Sequence, residues 1–227
     1  VLDAVQSLAN SRPEDSLTVL PTLRSHLADD THATQVLNCL APFATARPAD
    51  IAPFVTETIP YLLTDDAQQQ RSAARIISEV ASEHPTDVVD AVPALSAIVS
   101  NQLAGFEHAL FALNRTAAEH PDEVRPAASA LSAILKDNSL GVEPRLNATA
   151  TLGRIASEHP DAAVDAIDPV VDLLDADAQR LRANAAGVLG DVATAHANEL
   201  VPHVDQLAEL LESDDDYALV NTTAALS

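Results

Sequence analysis

Three Glu-His pairs recur along the chain at nearly equal distances, and a carboxylate beside an imidazole is a ligand set that transition metals accept. The pairs are Glu83-His84, Glu119-His120 and Glu158-His159, and an additional pair is Glu107-His108. The three regular pairs directly precede proline, where a histidine can instead end a helix and interact with its last carbonyls. A metal needs ligands at about 2 Å, whereas packed helical units lie about 10 Å apart. We therefore predict helix endings, with no metal ligand, catalytic residue or cofactor.

Each of the three regular pairs is part of a four-residue sequence, Ser or Ala followed by Glu-His-Pro, at the end of a helical segment, and looser copies occur elsewhere in the chain. The closing positions are 13, 48, 85, 121, 160 and 197, so successive ones are 35, 37, 36, 39 and 37 residues apart. A constant period in this range is typical of a solenoid built from supersecondary units. We predict a single array over residues 1–227, with a partial unit at 217–227, and interpret the chain as a piece of a longer solenoid.

Each unit contains two helical patterns, and the first has apolar residues spaced by three and four. One example is Val88, Val92, Leu95 and Val99. The predicted first helices cover 14–28, 49–63, 86–100, 122–136, 161–175 and 198–212. Four prolines inside them should kink or restart the helix because proline lacks an N–H: Pro21, Pro60, Pro93 and Pro169.

The second helix of each unit is rich in alanine. The residue four positions before each closing position is alanine: Ala9, Ala44, Ala81, Ala117, Ala156 and Ala193. Four positions before each of these alanines stands a larger apolar residue: Val5, Leu40, Ile77, Leu113, Leu152 and Leu189. This alternation suits helices packed about 8–10 Å apart. Acidic linkers such as Asp65-Asp66 precede these helices, and we interpret them as helix N-caps rather than cation sites.

Two units carry a more specific pattern. In one, Arg182 and the pair Ala185-Ala186 precede Leu-Gly-Asp-Val-Ala at 189–193, and in the other Arg145 precedes Leu-Gly-Arg-Ile-Ala at 152–156. These segments resemble the HEAT repeat. The resemblance implies an all-α, right-handed α-solenoid of about six HEAT-like two-helix repeats. HEAT-like di-iron hydroxylases use His-Glu pairs on successive helices, but the order in this chain is Glu-His.

The composition is strongly acidic, with 34 Asp and Glu against 12 Lys and Arg, a net charge of −22 and a single Lys136. Such a surface, which resembles those of haloarchaeal proteins, predicts a cytoplasmic protein of a salt-rich cell, because at ~1 M salt the Debye length falls to ~3 Å. Nucleic acid is a poor partner for this charge and for 3% aromatic residues. No apolar run reaches the ~18 residues of a membrane span. The lone Cys39 is expected to be buried.

Matched positions on the second helices place Arg75, Phe111, Arg115 and Arg154 in successive units. On a concave solenoid face they could bind an acidic segment of another, unidentified protein, with arginine forks on carboxylates and an aromatic anchor. Alternatively, the arginines pair within and between repeats, with the partners Glu79, Glu119, Glu158 and Asp191. We predict a non-catalytic protein–protein interaction scaffold. The alternatives are a structural spacer in a larger assembly and a metal-dependent HEAT-like enzyme that uses the Glu-His pairs.

Overall fold

The computed structural model describes residues 2–12, 14–28, 32–137 and 139–211. Pro13, the acidic linker at 29–30 and the predicted partial unit at 217–227 lie outside these ranges. Every regular element within them is an α-helix or a 3-10 helix, and no strand occurs there. The all-α prediction is therefore confirmed.

The helices follow one another with short connections. The α-helices are α1 (Leu2–Ser11), α2 (Leu20–Ala28), α3 (Ala33–Ala46), α4 (Pro48–Ile51), α5 (Val55–Thr58), α6 (Ala67–Glu83), α7 (Val92–Ser100), α8 (Phe106–Ala117), α9 (Pro121–Val124), α10 (Ala128–Lys136), α11 (Val142–Glu158), α12 (Ile167–Val171), α13 (Gln179–Leu200) and α14 (Val204–Leu211). The 3-10 segments are Glu14–Val19, Ala52–Phe54, Ile59–Leu63, Pro85–Ala91, Arg125–Ala127, Pro160–Ala166, Asp172–Asp175 and Val201–His203.

The predicted first helices are runs of short segments rather than continuous α-helices. Their bounds agree with the predicted spans within the described residues, but each run changes between 3-10 and α geometry near a proline. Pro93, for example, is the second residue of α7 and follows the 3-10 segment Pro85–Ala91. The missing N–H of proline explains such restarts. Restarts also occur at Pro53, Pro126 and Pro202, so they are more numerous than the four predicted.

The second helices end through one repeated backbone conformation. Arg47, His84, His120 and His159 all precede proline and have φ between −145° and −131° with ψ between 59° and 71°. Proline disfavours the α conformation in the residue before it, and that restriction ends the helix. The backbone N–H of His84 still donates to the Val80 carbonyl at 2.8 Å. The predicted helix-ending position is therefore confirmed for His84 and His159, whereas α8 ends at Ala117, three residues before His120.

The sixth ending lacks proline, and its helix is kinked rather than ended. His196 is followed by Ala197 and has φ −131° and ψ 39° inside α13. At the other end of a second helix, Asp66 caps α6 because its Oδ1 accepts from the backbone N–H groups of Gln68 and Gln69 at 2.8 and 3.2 Å. The N-cap interpretation is confirmed for this linker.

The helices form two compact units, Val1–Glu119 and His120–Ser227. In the first unit α3 packs on α1 and α6, and α6 packs on α8; in the second unit α11 packs on α13. The repeated alanines lie in the packed core, at 0–1% exposure for Ala9, Ala44, Ala81, Ala117 and Ala156. Ala193 is only half-buried. Cys39 is fully buried, as expected, and burial raises the pKa of its thiol.

Candidate functional site

Arg75 lies on α6 with part of its side chain accessible. Its Nε is 3.9 Å from Glu79 Oε1 one turn later, and its side chain is 47% exposed. A terminal guanidinium nitrogen donates to the Thr45 hydroxyl of α3 at 3.4 Å, and that hydroxyl donates to Glu79 Oε1 at 3.0 Å. These long contacts hold the guanidinium near α3 while leaving it exposed to solvent. An exposed ion pair of this kind contributes little stability.

Three residues of α8 share one side of that helix with spacings of three and four: His108, Phe111 and Arg115. His108 Nδ1 is 3.4 Å from Ser78 Oγ, and Arg115 donates to the Ser82 carbonyl at 3.1 Å. Both partners belong to α6, so this side of α8 borders α6. Phe111 is 38% exposed and is the aromatic residue among the exposed large apolar side chains of the described residues. We call Arg75, His108, Phe111 and Arg115 the α6–α8 face.

The electrostatics of this face favour a neutral histidine. Burial lowers the pKa of His108, and the positive charge of Arg75 lowers it further. Glu79 and Glu107 act in the opposite direction, while Arg71 adds a smaller lowering effect. The pKa of His108 is thus lowered mainly by partial dehydration of the ring, with opposing contributions from its charged neighbours. The sequence analysis noted His108 only as part of a Glu-His pair. Its spacing of three residues from Phe111 on a helix was the signal that both lie on one side of α8.

The ion pairs that the alternative gives to Arg115 do not form: among the residues that the structure describes, Arg115 makes no ion pair with Glu79 or with Glu119. Glu79 pairs instead with Arg75, one turn earlier in α6, which the alternative did not include. The reason for the missing pair with Glu119 is local: α8 ends at Ala117, so Glu119 is not one helical turn beyond Arg115. Arg115 is exposed and uses a backbone carbonyl of α6 instead.

Arg154 belongs to the second unit and is described with it. Its guanidinium donates to the Ala150 carbonyl one turn earlier in α11 at 3.4 Å, and its side chain is half-buried. Arg154 and Asp191 line a groove of about 390 Å³ between α11 and α13. Burial raises the pKa of Asp191. The structure therefore places Arg75, Phe111 and Arg115 on the adjacent helices α6 and α8 of the first unit, while Arg154 belongs to the second unit.

Two histidines at repeat endings in the second unit, His159 and His196, have partners that the sequence did not indicate. His159 Nε2 contacts Asp122 Oδ1, and His196 Nε2 contacts Asp161 Oδ1 in the same way, one repeat further along. Ligand atoms of Asp122, Glu158 and His159 lie within 4.8 Å of one another. Asp122 and Asp161 directly follow Pro121 and Pro160. A Pro-Asp sequence one period before each histidine was therefore the signal in the sequence from which these contacts could have been predicted.

Several solved structures share the fold of this chain. An engineered protein matches with a TM-score of 0.73 and 24% identity, over 90% of this chain and 95% of its own. A second engineered protein, with a TM-score of 0.77 and 22% identity, covers 99% of this chain, which spans 62% of it. Computationally designed armadillo repeat proteins for modular peptide recognition match with a TM-score of 0.76 and 19% identity, over 91% of this chain and 98% of theirs. A designed armadillo repeat protein in complex with the peptide (KR)4 matches with a TM-score of 0.74 and 19% identity, with the same coverage of both chains.

These similarities establish the fold class: the chain has the helical-repeat fold of α-solenoid proteins, consistent with the HEAT-like pattern of its sequence. No protein-family model matches the chain, and no curated protein matches it in sequence. In the part of the chain that the structure describes, none of the helices has the length and apolar character needed to cross a membrane.

Proposed function

We propose that this chain is a non-catalytic scaffold that binds an acidic segment of a partner protein on the α6–α8 face. The observation that carries the proposal is the exposed Phe111 on one helix face with Arg115, beside Arg75 of the adjacent helix. A guanidinium can bind a carboxylate through two parallel hydrogen bonds, and an exposed aromatic ring supplies an apolar anchor. The designed armadillo proteins of similar fold, made for peptide recognition, support the use of such a scaffold for extended peptides.

The net charge of −22 shapes how this face would work. At low salt the whole molecule repels an acidic partner, whereas at ~1 M salt the Debye length of ~3 Å leaves only direct contacts effective. We propose that the protein acts in such a salt-rich cytoplasm, where bidentate hydrogen bonds and apolar burial decide affinity. The same acidic surface makes nucleic acid and anionic membranes unsuitable partners. The (KR)4 peptide bound by a designed neighbour has the opposite charge, so it is a useful comparison ligand.

The direct test is a titration with labelled peptides at ~1 M salt. One peptide alternates acidic residues with leucine, and the other is (KR)4. Each is added to the wild type, to R75E/R115E and to R125E/K136E, a control with the same change in net charge on the first helices of the second unit. We expect the acidic peptide to bind the wild type and the control equally, and to bind R75E/R115E at least about tenfold more weakly.

Two results would contradict the proposal: equal loss of affinity in both double variants, or preferential binding of (KR)4 by the wild type. R154E is measured separately because Arg154 lies in the second unit. A comparable loss in R154E extends the binding surface to α11, whereas unchanged affinity restricts it to the first unit.

A structural spacer is the second candidate, and one observation favours it. Arg75 and Arg115 each donate a hydrogen bond to a neighbouring helix, to Thr45 and to the Ser82 carbonyl. In a spacer these bonds would serve stability alone. R75A and R115A would then lower the free energy of unfolding without changing the affinity for any peptide. A scaffold predicts the reverse, because exposed hydrogen bonds contribute little net stability.

A further inference from the structure

Three metal-ligating side chains meet on the surface of the second unit. One ligand atom each from Asp122, Glu158 and His159 lies within 4.8 Å of the other two. Asp122 is in the short helix α9, Glu158 is the last residue of α11, and His159 follows it. Asp122 and Glu158 are exposed, so water can complete the coordination of an ion. This cluster is independent of the α6–α8 face.

The three ligand atoms are near enough to share one ion. Ligand atoms at about 2.1 Å from an ion lie roughly 3–4 Å apart, which is within the 4.8 Å limit on their present separations. Binding would break the direct contact between Asp122 Oδ1 and His159 Nε2, because the ion takes the place of that contact. Two carboxylates and a neutral imidazole carry a charge of −2, which a divalent cation balances. Imidazole favours transition metals such as zinc over magnesium and calcium, which prefer oxygen ligands.

The backbone holds the ligands in place before any ion arrives. Pro160 fixes His159 at φ −133° and ψ 71°, and the His159 N–H donates to the Ile155 carbonyl at 2.7 Å. Asp122 follows Pro121 in the first turn of α9, and its Oδ1 contacts His159 Nε2. The next repeat keeps the same contact between His196 and Asp161 but has Ala195 where the first has Glu158. That repeat therefore offers two ligands and is a control within the same molecule.

We propose that Asp122, Glu158 and His159 bind one divalent transition-metal ion, of which zinc is the best match. Such an ion would join the end of α11 to the start of α9, the first helical segment of the same repeat. Binding to the folded state alone would stabilise the protein in proportion to the logarithm of the metal concentration. A site with only three protein ligands and open water positions is also the arrangement that leaves the ion accessible to a further ligand.

The test uses the whole chain at neutral pH and ~1 M salt, where weak binding to scattered carboxylates is screened. Zinc affinity is measured by calorimetry, and cobalt serves as a spectroscopic probe because its visible absorption reports imidazole coordination. We expect one saturable zinc site in the wild type, unchanged in H196Q and at least about tenfold weaker in E158Q and in H159Q. A195E is expected to create a second site beside Asp161 and His196. Excess magnesium should not displace the zinc.

E158Q is the decisive variant because Glu158 is exposed, so the substitution should not disturb packing. Circular dichroism of E158Q is the check that the fold is retained. Saturable zinc binding in E158Q with wild-type affinity would overturn the proposal. So would non-saturable binding that is the same in all variants, because it would show only the general attraction of an acidic surface for cations. Loss of the site in H196Q with retention in H159Q would place the ion in the wrong repeat and would equally contradict it.

Discussion

At the scale of single residues, protonation of His108 on the α6–α8 face is expected to affect the stability of the fold. Burial and the charge of Arg75 lower the pKa of His108, so the folded state takes up a proton at lower pH than the unfolded state does. Between the ordinary histidine pKa of about 6.5 and the lowered value, the unfolded state therefore binds more protons. Stability consequently falls as pH decreases through that window.

An acidic peptide on this face should reverse the shift of His108. Its carboxylates would add negative charge beside the imidazole and raise the pKa of His108, so binding would take up a proton. Affinity is then predicted to increase as pH falls through the range in which His108 titrates. An NMR titration of the ring with and without peptide measures the pKa, and H108Q should show no such pH dependence. Affinity that is independent of pH in the wild type would remove His108 from the binding face.

Gly105 provides a residue-scale test of helix packing. It caps α8 at φ +87°, and a Cβ there would lie 2.9 Å from Ala74 Cβ and 3.1 Å from Arg71 Cα. Gly105→Ala is therefore expected to reduce the free energy of unfolding by about 1–3 kcal/mol. Gly141→Ala is the control, because nothing lies within 4 Å of its added Cβ and φ is −66°. Denaturant unfolding measures both, and equal effects would contradict the close α6–α8 contact.

At the scale of helices, the repeated alanines are expected to set how closely neighbouring elements pack. Ala156→Leu should cost about 1–3 kcal/mol because Ala156 is fully buried in α11, where extra methylenes force neighbouring side chains to move. Ala193 occupies the matching position in α13 but is only half-buried, so Ala193→Leu is expected to cost less. Thermal or chemical unfolding of the two variants gives the comparison. Unchanged stability of Ala156→Leu would show that the space around Ala156 of α11 can hold a larger side chain.

Helix positions and their breaks follow from local chemistry, and this is why they could be predicted. Proline at 93 or 169 removes an N–H wherever it stands, and the residue before Pro85 or Pro160 must leave the α conformation. Side-chain partners depend on how the two helices of a repeat pack in space, and they were missed. The contact of His159 with Asp122 joins residues 37 positions apart.

The Arg115 pairing failed for a different reason. A spacing of four residues predicts an ion pair only if the helix continues through both residues. Because α8 ends at Ala117, the carboxylate of Glu119 is outside the helix. Helix ends are set by the balance of several weak interactions, so a one-turn difference is below the resolution of sequence patterns.

At the scale of the whole molecule, the net charge of −22 predicts a strong dependence on salt. Self-repulsion is screened at ~1 M salt but acts over a Debye length of ~30 Å at ~0.01 M. Helicity and the unfolding temperature should therefore both decrease as salt is lowered. Circular dichroism over a salt series measures this. Full helicity with an unchanged unfolding temperature at low salt would contradict adaptation to a salt-rich cytoplasm.

The repeat architecture could be inferred from period and composition, because every unit repeats the same ending and the same small residue in its second helix. A partner could not be identified in this way, since the accessible part of Arg75 or Phe111 depends on which neighbours cover it. Exposure of Phe111 at 38% is thus the observation that the sequence alone could not supply. We propose that the six predicted units, closing near 13, 48, 85, 121, 160 and 197, act as one array.

The most direct test of the binding proposal is NMR mapping of the acidic peptide at ~1 M salt. Resonances of the Phe111 ring, the His108 ring and the Nε–H groups of Arg75 and Arg115 are followed during the titration, with (KR)4 as the comparison. The account predicts saturable shifts confined to the α6–α8 face and produced only by the acidic peptide. Shifts confined to the first helices, or saturation by (KR)4 alone, would contradict it.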